Sequence, residues 1–449
     1  MFTNYIADKE DFLPTVEIEW NQDIMGYNKY RVVKKLKAIK QPMRKLNWKD
    51  GNLTKKMEVC REELKVSQRD MAANPHNERL MKLIVWLSIW VIASKRNINR
   101  IMSICNENGE RFKGNLVAEQ FVNHFKKLLR PNKRGADMNT QNLFTTKLSD
   151  DEANKMMVDV SDKEIKEAMF DISENKASGP DGFTFVFFKK SWAIIGKEIC
   201  QAIKEFFISG KLLGEINATL ITLLPKISQP NKVSDFRPIA CCNSAFVPGR
   251  GIQDNLMITQ EPLKGYNCKN SPSRCSLKID IAMAYDTVDW NFWQATLENF
   301  SFHSRMVCWI MTCVSSAAFT IGINGERNGY FKSGRGLRQG DPVSPYLFTL
   351  IMEVFSLMLA RKVKENSISV IKEALMEFSN SSSLKPNMDK SVVFFGSVKE
   401  MVKQRILEVL PFKVGKLPVK YLGIPLLAKK LGINDYKQLV EKVKNRIED

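Results

Sequence analysis

From residue 176 onward the chain alternates short apolar runs of strand length with longer runs of helical periodicity, and no fixed repeat governs the alternation. Ala218 to Leu224, Cys275 to Ile281, Ala318 to Asn324 and Val392 to Phe395 read as strands. Trp192 to Phe207, Tyr346 to Lys364, Val370 to Phe378 and Asp435 to Ile447 read as helices. Regular strand-helix-strand order would build a parallel sheet between helix layers, whereas this irregular order predicts an α+β fold. No GxxxxGK[ST] or GxGxxG stands after a strand, so a Walker or Rossmann phosphate loop is unsupported.

The part before residue 176 has a different texture. Residues 28 to 130 read mostly as helix, with Pro75 breaking the pattern. Lys34, Lys35, Lys37, Lys40, Arg44 and Lys45 alternate with apolar residues at helical spacing, as on a solvated helix face. Residues 131 to 146 are polar and read as a linker. Ser149 with Glu152 fits a capping box that opens a helix, and Ser161 opens a second one with Ile165, Met169 and Ile172 on one face. The most apolar run, Leu83 to Ala93, is short of the ~20 residues that span a bilayer and reads as a buried helix.

Lys and Arg number 68 against 49 Asp and Glu, a net charge of +19. Such a chain suits a polyanion, with nucleic acid the first candidate, although lysines also serve solubility alone. Nine cysteines fall at irregular spacing with no CxxC pair, which predicts reduced thiols and no structural metal cluster. The N-terminus has no basic-then-apolar secretory pattern, and no membrane partner is expected.

Four segments carry candidate chemistry. Lys176 to Gly182 (KASGPDG) is by itself a turn. Lys226 ends an apolar strand and Arg237 follows soon after, so two cations on a hairpin either grip a triphosphate or are ordinary surface charges. Asp280 stands at a strand end before small residues and Tyr285, as a metal ligand beside a ring or as a cap. The segment Gly336 to Pro345 (GLRQGDPVSP) has glycines that allow close approach to a ligand, and Asp341 or Ser344 can cap the helix that follows.

The order of these segments is more specific than any one of them. KASGPDG, LLPK, DFRPIACCN, SAFVPGR, IDIAMAYDTVDW, GLRQGDPVSPYLF, LKPNMDKS and KYLGIPL together resemble the reverse transcriptases of plant LINE-type (non-long-terminal-repeat) retroelements. The resemblance covers about 165 to 430, and 27 to 129 resembles the helical region that precedes this domain. It implies a right-hand polymerase fold of fingers, palm and thumb. The divisions it implies are an N-terminal helical region and linker (1–146), fingers (147–260), palm (261–366) and the palm end with the start of the thumb (367–449). The implied reaction extends a DNA primer with deoxynucleoside triphosphates on an RNA template, using two Mg2+ ions. By resemblance Asp280 is the catalytic metal ligand and Tyr285 the gate against a ribose 2′-hydroxyl. Lys226 and Arg237 hold the triphosphate, Gln339 and Gly340 line the nucleotide pocket, and Lys390 lies near the leaving pyrophosphate. Met283 stands where relatives commonly carry lysine. Copying at chromosomal targets would place such a protein in the nucleus or cytoplasm.

One part of the pattern is missing. The family carries a Phe/Tyr-Ala-Asp-Asp hairpin between the helix after GLRQGDPVSP and the LKPNMDKS segment. Here the only Asp-Asp pair is Asp150-Asp151, at a helix start where capping and dipole account for it. The palm is therefore expected to be incomplete after Asn366 and the polymerase inactive. Glu365 or Asp389 would have to reach the site to restore a second carboxylate. A second gap follows Asn243, where relatives have a helical stretch of the fingers, and a third irregularity is the apolar run near Trp86 to Lys95.

Overall fold

The computed structural model describes residues 2, 4–48, 100–106, 108–130, 135–172, 174, 181–227, 229–240, 266, 273–338, 341, 343–362, 368–417, 419–421 and 424–426. The apolar run at 83–93, the turn at 176–180, the SAFVPGR phrase and the helix expected at 435–447 lie outside the described residues.

Local periodicity builds the first layer. Helix α1 (Phe12–Trp20) buries Phe12, Val16 and Trp20, one turn apart on one face. Helix α2 (Asn28–Trp48) buries Ile39, Met43 and Leu46. A hairpin follows where the sequence reads as helix: β1 (Ser103–Cys105) pairs antiparallel with β2 (Arg111–Lys113). Its turn is fixed by the Asn106 side-chain carbonyl, which accepts from the N–H groups of Asn108 and Glu110, and by Gly109 at φ +85°. This local turn chemistry overrides the helical average of the region. Helix α3 (Asn115–Leu128) then buries Val117, Phe121 and Phe125.

Helices α4 (Asp150–Lys155) and α5 (Asp162–Asp171) open on the expected boxes, Ser149 with Glu152 and Ser161 with Glu164, each reciprocal. Helices α6 (Phe185–Lys190) and α7 (Trp192–Ser209) return to the N-terminal pair, and Phe12, Trp20, Ile39, Phe187 and Ile195 share one core. That docking divides the lysine run of α2. Lys37, Arg44 and Lys45 remain exposed. Lys35, read as solvated, is instead buried with its Nζ 2.7 Å from Glu198 of α7. Lys29 is buried too and donates to the Ser209 hydroxyl at 3.0 Å and the Lys211 carbonyl at 2.5 Å.

Two sheets position the site. Strands β3 (Ala218–Pro225) and β4 (Phe236–Ala240) form an antiparallel hairpin, with Leu224 opposite Arg237. Next come β5 (Arg274–Lys278), the short α8 (Ala284–Thr287), α9 (Trp290–Asn299) and α10 (Ser304–Ser315). Strands β6 (Ala318–Ile323) and β7 (Glu326–Lys332) complete a first sheet of order β4-β3-β6-β7, with β3 parallel to β6. Helix α3 covers it through Phe121 and Phe125, packed with Ile221, Phe236 and Ile321. Strand β7 was not legible because Phe331 is its one buried residue.

Helices α11 (Ser344–Lys362) and α12 (Ile368–Ser382) precede β8 (Val392–Gly396), α13 (Glu400–Val409), β9 (Lys413–Val414) and a last hairpin of β10 (Val419–Tyr421) and β11 (Ile424–Leu426). The second sheet has the order β5-β8-β9. Among the described residues β5 therefore has a single neighbour, the antiparallel β8. Helices α9 to α12 enclose Trp293, Leu297, Ile351, Val354 and Phe378. The stretch read as a linker contributes to that same core: Leu143 and Phe144 are buried in it, and the Ala136 N–H donates to the Asn380 carbonyl at 3.0 Å. Two apolar anchors outweigh a polar average there.

Helix α11 is long and apolar enough to cross a bilayer by length and composition, and here Leu347, Ile351, Val354 and Met358 are buried in the α9–α12 core. Its end lies beside α12. Arg361 pairs with Glu377, and Lys362 Nζ is 3.3 Å from Glu373 and 3.6 Å from Glu377. Only residues 363–367 separate the two helices in sequence.

Candidate functional site

Asp280 stands two residues beyond the end of β5, and the LKPNMDKS segment holds its backbone. The Asp280 N–H donates to the Ser391 hydroxyl at 3.1 Å, and its carbonyl accepts from Asn387 N–H at 2.6 Å. The next residues continue the contact: Ile281 bridges Pro386, and Ala282 N–H donates to the Lys385 carbonyl at 2.9 Å. Ser391 is fully buried, so its hydroxyl acts as a fixed acceptor between two segments distant in sequence. The Asn387 side chain accepts from Asp389 and Lys390 N–H groups and so shapes the turn that presents Lys390.

The IDIAMAYDTVDW phrase also meets the GLRQGDP loop. Leu337 N–H donates to the Tyr285 carbonyl at 2.6 Å, and Gly336 N–H to the Val288 carbonyl at 2.8 Å. The Trp290 indole N–H donates to the Gly336 carbonyl at 2.9 Å. The Tyr285 ring stacks on Phe348 of α11, 4.9 Å between centroids and 22° between planes, and burial pushes its phenol up. Met283, the departure from the family lysine, is exposed and has a left-handed backbone with φ +46°. Gln339 and Gly340 lie outside the described residues. Their flanks are tied together: Arg338 lies 2.5 Å from Asp341 and donates to Asn217 at 2.5 Å. Asp341 accepts from the Val343 N–H at 3.0 Å in a local turn just ahead of α11.

The cations converge. Lys226 donates from Nζ to the Ser234 carbonyl at 2.6 Å across the β3–β4 turn. Burial first, and then the nearby charges of Arg237 and Lys390, lower its ammonium below the usual lysine range, against opposing Asp235 and Asp286. Three residues from three segments therefore form one cluster of positive charge. Asp235 is held low by N–H donors of Lys232 and Asn231, at 2.8 and 2.9 Å.

Sequence reasoning missed Asp286 as part of this site. Burial pushes its carboxyl up from 3.8 to about 6, although Lys226 and Arg335 both favour its charged form. The available signal was its place immediately after Tyr285. Asp389 is exposed and its carboxylate lies 3.3 Å from Lys413 Nζ. Asp150 and Asp151 occupy the first turn of α4, as their capping setting predicts. Among the described residues, no group of three or more His, Cys, Asp or Glu side chains is placed to hold a metal ion.

Residues 224–426 match the family model for reverse transcriptase (RNA-dependent DNA polymerase). An uncharacterized 149 kDa protein of transposon TX1 from Xenopus laevis is 27% identical over 215 residues, which is 42% of this chain and 16% of that relative. The retrovirus-related Pol polyprotein of the type-2 retrotransposable element R2DM from Drosophila melanogaster is 24% identical over 315 residues, 57% of this chain and 29% of that one. The chain thus spans less than a third of either relative. An apo telomerase from Candida tropicalis, truncated from its C-terminal domain, aligns over 95% of this chain and 87% of its own, at 11% identity and a TM-score of 0.34. The ordered motifs, the hold of the LKPNMDKS segment on Asp280 and the matches to retroelement proteins lead to one assignment: this is a protein of retroelement origin that carries a reverse transcriptase domain of the non-long-terminal-repeat kind.

Proposed function

We propose that this chain is a reverse-transcriptase relic that binds nucleoside triphosphates and nucleic acid but does not polymerise. The observation that carries the reading is the direct passage from α11 to α12. Ion pairs from Arg361 and Lys362 to Glu377 and Glu373 join the described ends of the two helices, and in sequence only residues 363–367 stand where the family pattern calls for a carboxylate-bearing strand pair. Among the described residues β5 has one neighbour, and Asp280 is the one carboxylate of the expected set that the sequence retains.

Divalent metal ions are general to the family, but the residues present do not fit a two-ion centre. Asp280, with a second carboxylate at Asp286 whose charged form burial disfavours and with lysines and an arginine nearby, offers too few acceptors for two divalent cations against water. Each lost preorganised charge is worth about 3–4 kcal/mol in such a site, roughly a hundred- to thousandfold in rate. Two lost ligands place turnover below detection.

The cations remain. Lys226, Arg237 and Lys390 suit a triphosphate by charge and by their different segments of origin. Exposed Lys413 and Lys416, with the net charge of +19, favour contact with the backbone of an RNA template or DNA primer. Plant lineage is part of this reading and rests on the wording of the eight motifs. A binding measurement with a labelled deoxynucleoside triphosphate tests the reading alongside primer extension. Binding that weakens with salt, without product, supports it. Product formation by the chain as it stands contradicts it, as would an absence of binding at low salt.

A further inference from the structure

A cavity of about 310 Å3 lies between α3, α7, α10, the loop at 333–338 and the start of α11. Its walls are mostly apolar, with Phe125, Phe207, Trp309 and Leu347 contributing large surfaces. Protein interiors seldom leave such a volume empty, and a volume of this size suits a small organic ligand.

The polar groups in the wall are nearly all committed. Arg338 is held by Asp341 and Asn217. Arg335 donates from Nε to the Leu128 carbonyl at 2.7 Å. The Trp309 indole N–H donates to the Phe207 carbonyl at 3.1 Å. Asp286 is the exception. It lines the cavity, and among the described residues its carboxylate accepts no hydrogen bond, although burial raises its pKa. Lys226 and Arg335 already oppose its charge, so the unmet need is a donor rather than another cation.

We propose that this cavity binds a neutral aromatic molecule of about indole size, whose N–H or O–H donates to the Asp286 carboxylate while its ring occupies the apolar walls. The cavity meets the cation site at Asp286, whose charge Lys226 opposes, but binding of a neutral donor there does not require that the cations hold a triphosphate. Asp286 selects for a donor, and the walls select for an aromatic body.

Indole and 1-methylindole make a matched pair of probes, because they share a ring system and differ in the donor. Calorimetric titration of the full chain is expected to show indole binding roughly tenfold or more tighter than 1-methylindole, as one hydrogen bond to a charged acceptor requires. Asp286→Leu should bring the two affinities together. Val314→Trp, which fills the cavity, should abolish binding of both. Equal affinity of the two probes for the unmodified chain overturns the proposal, as does binding of neither, or indole binding that survives Val314→Trp unchanged.

Discussion

Gly336 leaves no room for a side chain against Asp286: a Cβ at position 336 would stand 2.7 Å from the Asp286 carbonyl oxygen. The backbone of Gly336 is also left-handed, at φ +83°. Steric need and conformational need therefore coincide at the first glycine of GLRQGDP, where two separated motifs meet.

Gly336→Ala should cost roughly 2 kcal/mol or more of stability, because strain at positive φ alone accounts for about 1 kcal/mol and the contact adds to it. Urea unfolding measures this. A change below about 0.5 kcal/mol would mean that the two motifs do not meet as described.

Asp286 gives a pH prediction. Its carboxyl ionises near 3.8 ordinarily and near 6 in the folded protein, so between those values the folded state holds the extra proton. Its destabilising effect is absent below about pH 4, grows as pH rises to 6 and is complete above that. Asp286→Asn should therefore raise stability at pH 7.5 by up to about 3 kcal/mol and change little at pH 4. Unfolding curves at the two pH values check the sign. Equal effects at both would place the carboxylate in solvent.

Ser391 and Asp280 give a third. Ser391→Ala removes the buried acceptor of the Asp280 N–H and should cost about 1–3 kcal/mol. Hydrogen exchange at the Asp280 amide should accelerate at the same time. Unchanged exchange would show that Asp280 is held by other contacts.

Lys35 and Glu198 join the N-terminal helices to α7. Lys35→Met leaves Glu198, itself partly exposed, with only the longer 3.9 Å contact to Arg31 and should cost about 1–2 kcal/mol, less than for a fully buried pair. Replacing both partners, Lys35→Met with Glu198→Leu, should recover most of that loss in thermal unfolding. No recovery would point to lost packing rather than an unpaired charge.

Much of this structure was legible where one local rule governs. The two capping boxes, the strands at 218–225 and 392–396 and the placement of Lys226 and Arg237 on one hairpin follow from spacing and residue type. What was not legible depends on contacts between distant segments. Lys35 reads as a surface lysine until α7 brings Glu198 to it. The polar stretch around Asn139 reads as a linker until Leu143 and Phe144 find the α9–α12 core. Strand β7 shows no apolar alternation because Phe331 is its one buried residue and its register with β6 shifts between Phe319 and Ile321. Within the site, motif order indicated Asp280, Tyr285 and Lys390, whereas the role of Ser391 as the clasp on Asp280 needs the fold.

The central claim is that the missing carboxylate hairpin, rather than any other lesion, silences this reverse transcriptase domain. Magnesium-dependent primer extension on an RNA template tests it directly, comparing the chain with a version that carries the Phe-Ala-Asp-Asp segment and its flanking strands restored after Asn366. The account predicts product from the restored version and none from the chain itself. Product from the unrestored chain would contradict it, because other carboxylates would then have to complete the centre around Asp280.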